Sequence, residues 1–310
     1  MTVQNLLNND EPHLKVRATT PEWFDWAIAQ RCESRTVAVE GCDIHYLRWR
    51  SPAGRNPTRG ILFIHGGGAH ANWWRFVAPF FAQDYRVAAI DLSGMGDSGR
   101  REKYTSSQRA REIREVLIDA DLGEQPFIVG HSFGGFMTLQ FGVDFGDQIA
   151  GAIIADTPIR RPDDPPPGRA QRIFNHTRTY PTFEEAVARF RLMPAQTCDN
   201  DFLVEFIARH SLKTEGDGWN WKFDPHAMGA DRWKEPFHEH AQNMRCRRAY
   251  IRGELSALVS REGADYISSL MGPDAPIIEI PRAHHHMMLD QPLAFVSAVR
   301  ALLETWQRSG

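Results

Sequence analysis

The stretch Phe127-Ile-Val-Gly-His-Ser-Phe-Gly-Gly135 constrains this chain more than any other. A short apolar run, Phe127 to Val129, leads straight into Gly130-His131-Ser132-Phe133-Gly134. A helical pattern follows, with Phe136, Leu139, Gln140 and Val143 three or four residues apart. A strand, a sharp turn and a helix form the setting in which G-x-S-x-G acquires chemical meaning. The flanking glycines let the backbone turn without a Cβ clash, so Ser132 is expected in a strained region with Oγ exposed. The N–H of Phe133, at the start of the helix, then faces any oxyanion forming on that serine. Outside such a context the motif is a glycine-rich turn carrying an idle serine.

The rest of the chain supplies that context. After a polar start, residues 20–31 read as a helix, with Thr20 as N-cap, Pro21 in the first turn, and Trp23, Trp26 and Ile28 packed on the body. Thr36 to Val39 and Ile44 to Trp49 read as a strand pair. Ile61 to Ile64 is a buried strand ending in His65-Gly66-Gly67-Gly68, and an aromatic-rich helix is expected from Trp73 to Phe81. Val87 to Ile90 closes on Asp91-Leu-Ser-Gly-Met-Gly-Asp-Ser98. A helix over Gln108 to Ala120 precedes the elbow, and the strand Ile149 to Ala155 follows it. Strands alternating with helices at this rhythm predict a parallel sheet covered on both faces.

After Asp156 the rhythm breaks. The run Arg160 to Gly168, dense in proline, reads as a hinge. Helical patterns without strands are then expected at Phe183 to Leu192, Asp201 to His210 and Asp231 to Met244. The sheet resumes at Ala249 to Ile251, then a helix from Arg261, a strand at Ile277 to Ile280 and a last helix from Pro292 to about Trp306. The chain therefore divides into a core, residues 1–159 and 246–310, and a helical cap, residues 160–245.

Composition narrows the function classes. A formal net charge of only -3, with basic residues scattered, gives no nucleic-acid footprint. No apolar run reaches the roughly 18 residues a membrane span requires, and the first residues lack a basic and an apolar signal region. Four cysteines, Cys32, Cys42, Cys198 and Cys246, are far apart with no C-x-x-C pair, which fits free thiols in a reducing compartment. The expectation is a cytoplasmic protein. The glycines after His65 lack the G-K-[ST] or G-x-G-x-x-G setting of a phosphate cradle. Consecutive His284, His285 and His286 cannot normally present their rings to one ion, so no metal and no cofactor are expected.

In order and spacing, His65-Gly66-Gly67, Asp91 to Ser98, the Ser132 elbow and Ala283-His-His-His-Met-Met-Leu-Asp-Gln-Pro292 resemble an α/β-hydrolase with a helical cap. The resemblance covers residues 35–305. It implies a doubly wound, mostly parallel eight-stranded sheet with helices on both faces, the cap inserted after the strand that follows the elbow helix, and catalytic residues at carboxyl ends of strands. It makes Ser132 the nucleophile. Of the histidines after the last strand, His285, seven residues ahead of Pro292, matches the family's base. His284 and His286 then take structural or pocket roles.

The acid is less directly marked. Many relatives carry an aspartate where this chain has Ser256, in Gly253-Glu-Leu-Ser256. Haloalkane dehalogenases place it after the strand that follows the elbow helix, which here ends at Asp156, 24 residues after Ser132. Asp156 is the expected acid, with Glu254 the alternative and a loop cap before Pro158 the plainer role. The oxyanion donors implied are the N–H groups of Phe133 and Gly67. His65 should brace its loop, His131 should pack, and Asp91 and Ser98 should hold loop structure.

The cap aromatics and methionines, Phe174, Phe183, Phe190, Met193, Phe206, Trp219, Trp221, Phe223, Met228, Trp233 and Phe237, serve mostly as its own core. Some should face the serine across an apolar cleft. Candidate pocket residues are His65, Gly66, Gly68, His131, Trp219, Trp221 and His286. These features lead to a serine hydrolase acting on an ester or lactone of a small-to-medium hydrophobic molecule. C–C hydrolysis, lysis and acyl transfer can use the same triad, and a ligand receptor on this fold is a second class. The N-terminal helix or a cap edge offers a surface for a homodimer.

Overall fold

A computed structural model describes residues 20–164, 178–228 and 235–308. Phe174, Trp233, residues 165–168 of the expected hinge and residues 231–234 of the last expected cap helix lie outside them.

Eight strands form one sheet in the order β1-β2-β4-β3-β5-β6-β9-β10. These are β1 (Cys32–Val39), β2 (Cys42–Trp49), β3 (Gly60–Ile64), β4 (Arg86–Ile90), β5 (Phe127–His131), β6 (Gly151–Ala155), β9 (Arg247–Gly253) and β10 (Ile277–Ile280). Only the β1–β2 and β2–β4 pairings are antiparallel. The middle strands β3, β5 and β6 are buried at every position, the pattern of a parallel sheet covered on both faces. One apolar layer joins Phe63, Val129 and Ile153 to α1 (Glu22–Ala29) and α9 (Pro292–Arg308). The opposite layer joins Leu62, Ile128 and Ile154 to α2 (Ser106–Asp119), α3 (Phe133–Phe145) and α7 (Arg261–Met271). The alternation of side chains along each strand thus feeds two cores.

Local chemistry sets the element ends. The side chains of Thr105 and Ser260 accept the N–H groups of Gln108 and Gly263, capping α2 and α7. At α1 the cap position belongs to Pro21 rather than Thr20, whose hydroxyl instead donates to Asp25. The helix expected over Trp73 to Phe81 is two short 3-10 turns, Ala71–Trp74 and Ala78–Phe81. Pro79 removes an N–H from the middle of that stretch, which interrupts a continuous helix.

Between β6 and β9 the chain leaves the sheet. It forms α4 (Phe183–Ala188), α5 (Asp201–His210), the antiparallel hairpin β7 (Leu212–Glu215) and β8 (Gly218–Trp221), and α6 (Phe237–Asn243). The hairpin corrects the expectation of a strand-free cap. It turns through Gly216 at φ 58°, and Leu212 opposes Trp221 across it. Helix α5 packs on the core, with Phe202 edge-on to Phe24 at 5.0 Å. Phe237 of α6 packs on Phe136 of α3 at 4.5 Å, so the excursion rejoins the helical layer before β9 begins. No helix among the described residues is long and apolar enough to cross a membrane.

Candidate active site

Strand β5 ends at His131, and Ser132 turns the chain into α3 with φ 52° and ψ -114°. A non-glycine residue there is strained by roughly 1–3 kcal/mol and persists only where its surroundings over-determine it. Those surroundings are visible. The Ser132 N–H donates to Ala155 O at 2.8 Å, and Thr157 Oγ1 donates to Ser132 O at 3.0 Å. Gly134 lets the first turn of α3 sit on the end of β3, because a Cβ there would lie 2.5 Å from His65 O.

Ser132 Oγ lies 2.9 Å from His285 Nε2, and His285 Nδ1 lies 2.7 Å from Asp156 Oδ2. His285 and Asp156 are 2% and 0% exposed, so the relay is shielded from water and its hydrogen bonds are strengthened by the low local dielectric. Asp156 follows β6 with φ 47°, a second left-handed residue in the same constellation. Its carboxylate is filled by donors: Gly253 N–H reaches Oδ1 at 3.1 Å, and the Ser256 hydroxyl reaches Oδ2 at 2.5 Å. The serine standing where many relatives carry an aspartate therefore supports the carboxylate of Asp156. Glu254 is exposed and accepts the Arg282 N–H at 2.7 Å, a contact that does not involve His285.

The neighbouring histidines divide the supporting work. His131 Nε2–H donates to the backbone carbonyl of His285 at 3.0 Å, and the two rings lie 4.7 Å apart. Burial holds His131 well below the ordinary imidazole range, as it does His286. His286 packs on Trp73 at 5.2 Å, and its backbone N–H donates to Gln196 at 2.9 Å. His284 is tied to Asp290 through both its N–H and its ring. His65 donates from Nδ1 to Gly66 O at 2.7 Å and accepts the Leu92 N–H on Nε2 at 3.1 Å, pinning the glycine loop to the end of β4. Asp91 and Ser98 brace the adjoining loop: Asp91 accepts the Ala71 and Asp97 N–H groups, and Ser98 Oγ donates to Asp91 O.

The expected oxyanion donors stand side by side. Phe133 begins α3, so its N–H has no partner one turn back in the helix. A Cβ built on Gly67 would lie 3.5 Å from Phe133 Cβ, while Gly66 abuts Ser132 and His131 and Gly68 turns the loop at φ 69°. Trp219 and Trp221, expected at the pocket, pack instead within the cap. Trp219 meets Phe183 edge-on at 4.8 Å, and Trp221 meets Tyr180 and Phe190. Sequence reasoning assigned no role to Thr157, Ser256 or Arg109, the last of which lies with its guanidinium 4.9 Å over the Phe133 ring.

One ring nitrogen from each of His131, His285 and His286 lies within 4.8 Å of the others. Both nitrogens of His285 are engaged by Asp156 and Ser132.

The sheet order, the elbow and the Ser–His–Asp relay define the α/β-hydrolase class. The chain matches the model of the alpha/beta hydrolase family over residues 61–299, and it belongs to that family. It is 24% identical to esterase Rv0045c of Mycobacterium tuberculosis over 277 residues, 86% of this chain and 88% of that protein. The crystal structure of that esterase superposes with a TM-score of 0.68 at 19% identity, covering 94% of this chain and all of the other. Over 135 residues the chain is 34% identical to 2-hydroxy-6-oxo-6-(2'-aminophenyl)hexa-2,4-dienoic acid hydrolase of Metapseudomonas resinovorans, 41% of this chain and 44% of that protein. The thioesterase domain from the curacin biosynthetic pathway shares the fold with a TM-score of 0.70 at 21% identity, covering 87% and 99% of the two chains.

Proposed function

We propose that this protein is a serine hydrolase that cleaves a carboxylic ester or lactone of a small-to-medium hydrophobic molecule through an acyl-enzyme on Ser132. The observation that carries the reading is the buried relay Ser132 Oγ, His285, Asp156, with links of 2.9 and 2.7 Å, set on a strained elbow. A serine hydroxyl is a weak nucleophile until a base accepts its proton. His285 Nε2 takes that proton as Oγ attacks the carbonyl carbon. Asp156, accepting the Nδ1–H, fixes the tautomer and stabilises the imidazolium. The N–H groups of Phe133 and Gly67 receive the oxyanion, and such a donor is typically worth about 10²–10³-fold in rate. His285 then protonates the leaving alcohol and activates the water that releases the acid. The likeness to an enzyme named as an esterase over most of both chains supports the ester class.

A second reading has a specific support. The name of the dienoic acid hydrolase describes a molecule with no ester link, so its hydrolysis breaks a carbon–carbon bond, and the same relay can serve that reaction. Steady-state hydrolysis of p-nitrophenyl esters, run beside Ser132→Ala and His285→Ala, tests the first reading. Ester turnover lost in both variants, with unchanged circular dichroism, supports the first reading. Substantial turnover retained in either variant refutes it.

A further inference from the structure

Resting on that reading, the structure carries a statement about which substrates fit. Met228 reaches the proposed oxyanion loop from the inserted segment. A Cβ on Gly67 would meet Met228 Cε at 2.4 Å and Sδ at 2.6 Å, with Phe133 Cβ next at 3.5 Å. The thioether therefore fills the volume that a side chain on Gly67 would occupy, directly beside the elbow.

The segment bearing Met228 is fastened to the core at several points. Gly96 N–H donates to Lys222 O and Asp224 N–H to Gly94 O, each at 2.7 Å. The Tyr104 hydroxyl donates to Asp224 Oδ2 at 2.7 Å. Arg109, 2% exposed, donates from Nη2 to Ala227 O at 2.5 Å and to Ser93 O at 3.1 Å while its guanidinium lies over Phe133. One side chain thus grips both the ring of the proposed oxyanion residue and the carbonyl immediately before Met228. The backbone leading into Met228 is thereby held against the core.

We propose that Met228 sets the acyl-group specificity of this enzyme, admitting esters of short, unbranched, unsubstituted alkanoic acids, acetyl- or propionyl-sized. In the tetrahedral intermediate the leaving oxygen must face His285 Nε2 and the oxyanion must face the Phe133 and Gly67 N–H groups. The remaining substituent is the acyl group, and Met228 bounds the space beside that loop. A thioether is apolar and a weak acceptor at most, so it gives no return for desolvating a hydroxyl or charge on the acyl chain. Bulk in the substrate belongs on the alcohol side.

The test measures kcat/KM for p-nitrophenyl esters of increasing acyl length and for acetate esters of increasing alcohol size, in wild type, Met228→Ala and Met228→Leu. Wild type should fall steeply as the acyl chain lengthens. Each methylene newly accommodated is worth about four-fold, so Met228→Ala should raise the hexanoate-to-acetate ratio by about ten-fold or more. Met228→Leu, close in volume, should keep the wild-type order. The alcohol series should not change in either variant. An unmoved acyl ratio in a Met228→Ala protein that melts like wild type and is still acylated on Ser132 overturns the proposal alone. So does a shift confined to the alcohol series. Absence of Ser132-dependent ester turnover in wild type overturns the reading beneath it.

Discussion

Replacing Asp156 by asparagine isolates the role of its charge, because the surrounding hydrogen bonds dictate how the amide must sit. The Gly253 N–H points at Oδ1 from 3.1 Å, so the asparagine oxygen has to occupy that place. An NH2 group there would oppose a donor with a donor. The NH2 therefore takes the position of Oδ2, facing the Ser256 hydroxyl and His285 Nδ1. Ser256 Oγ already accepts the Leu258 and Val259 N–H groups, so its hydroxyl loses its acceptor, and Nδ1 must now be the unprotonated nitrogen of the ring. The proton moves to Nε2, where it points at Ser132 Oγ and blocks that nitrogen as a base. Only the half-buried Ser256 hydroxyl gives up its acceptor, so stability should change by no more than about 1–2 kcal/mol. Activity should fall by about 10⁴-fold in kcat, equivalent to about 5.5 kcal/mol of transition-state stabilisation. The assay is kcat and KM on a p-nitrophenyl ester, with a thermal melt on the same sample. Glu254→Gln is the control and should alter kcat by no more than about two-fold, since Glu254 is exposed and bonded to Arg282. An Asp156→Asn enzyme retaining more than about a tenth of wild-type kcat would refute this account of the carboxylate.

Other outcomes follow from the same geometry. Ser256→Ala removes the hydroxyl donated to Asp156 Oδ2 and should lower kcat by about ten-fold with KM little changed, and Ser256→Thr should restore it. A KM change without a kcat change would assign Ser256 to substrate binding instead. His70 predicts an acid sensitivity of folding. It is buried, its Nε2 lies 2.8 Å from Ser211 Oγ, and Nδ1 has no partner among the described residues, so burial lowers its pKa to about 3. The unfolded chain binds that proton near the ordinary value of about 6.5. The stability it contributes is therefore complete above about pH 6.5 and is lost progressively as pH falls toward about 3, amounting to about 2 kcal/mol by pH 5. His65, His131 and His286, also lowered by burial, act in the same direction. Melting curves at about pH 8 and pH 5 should separate more in wild type than in His70→Gln. Equal separations would remove His70 from the cause.

Much of the core was legible because its determinants are local. An apolar run buried on both faces, a glycine turn and an amphipathic helix each leave a signature within a few residues, and β5, the elbow and α3 stand where those signatures put them. The bounds of α5 were fixed by one apolar face and its flanking polar residues. The hairpin β7–β8 escaped because its two strands are four residues each, too short to show an alternation. The aromatic run after the glycine loop carried a helical spacing that Pro79 overrode. Site residues brought together by distant segments were the hardest to see. Ser256 reads as a missing aspartate until β6 and β9 pair and deliver its hydroxyl to Asp156. Nothing in the sequence near Met228 announces Gly67, and Arg109 looks like an ordinary helix residue until the inserted segment folds back over it.

The most direct measurement is a rapid-mixing experiment with excess p-nitrophenyl acetate, followed by intact mass of the quenched protein. The account predicts a burst of one p-nitrophenolate per active site, an acetyl adduct mapped to Ser132, and loss of both in Ser132→Ala. Turnover with no Ser132-bound acyl group, or an adduct that survives Ser132→Ala, would contradict it.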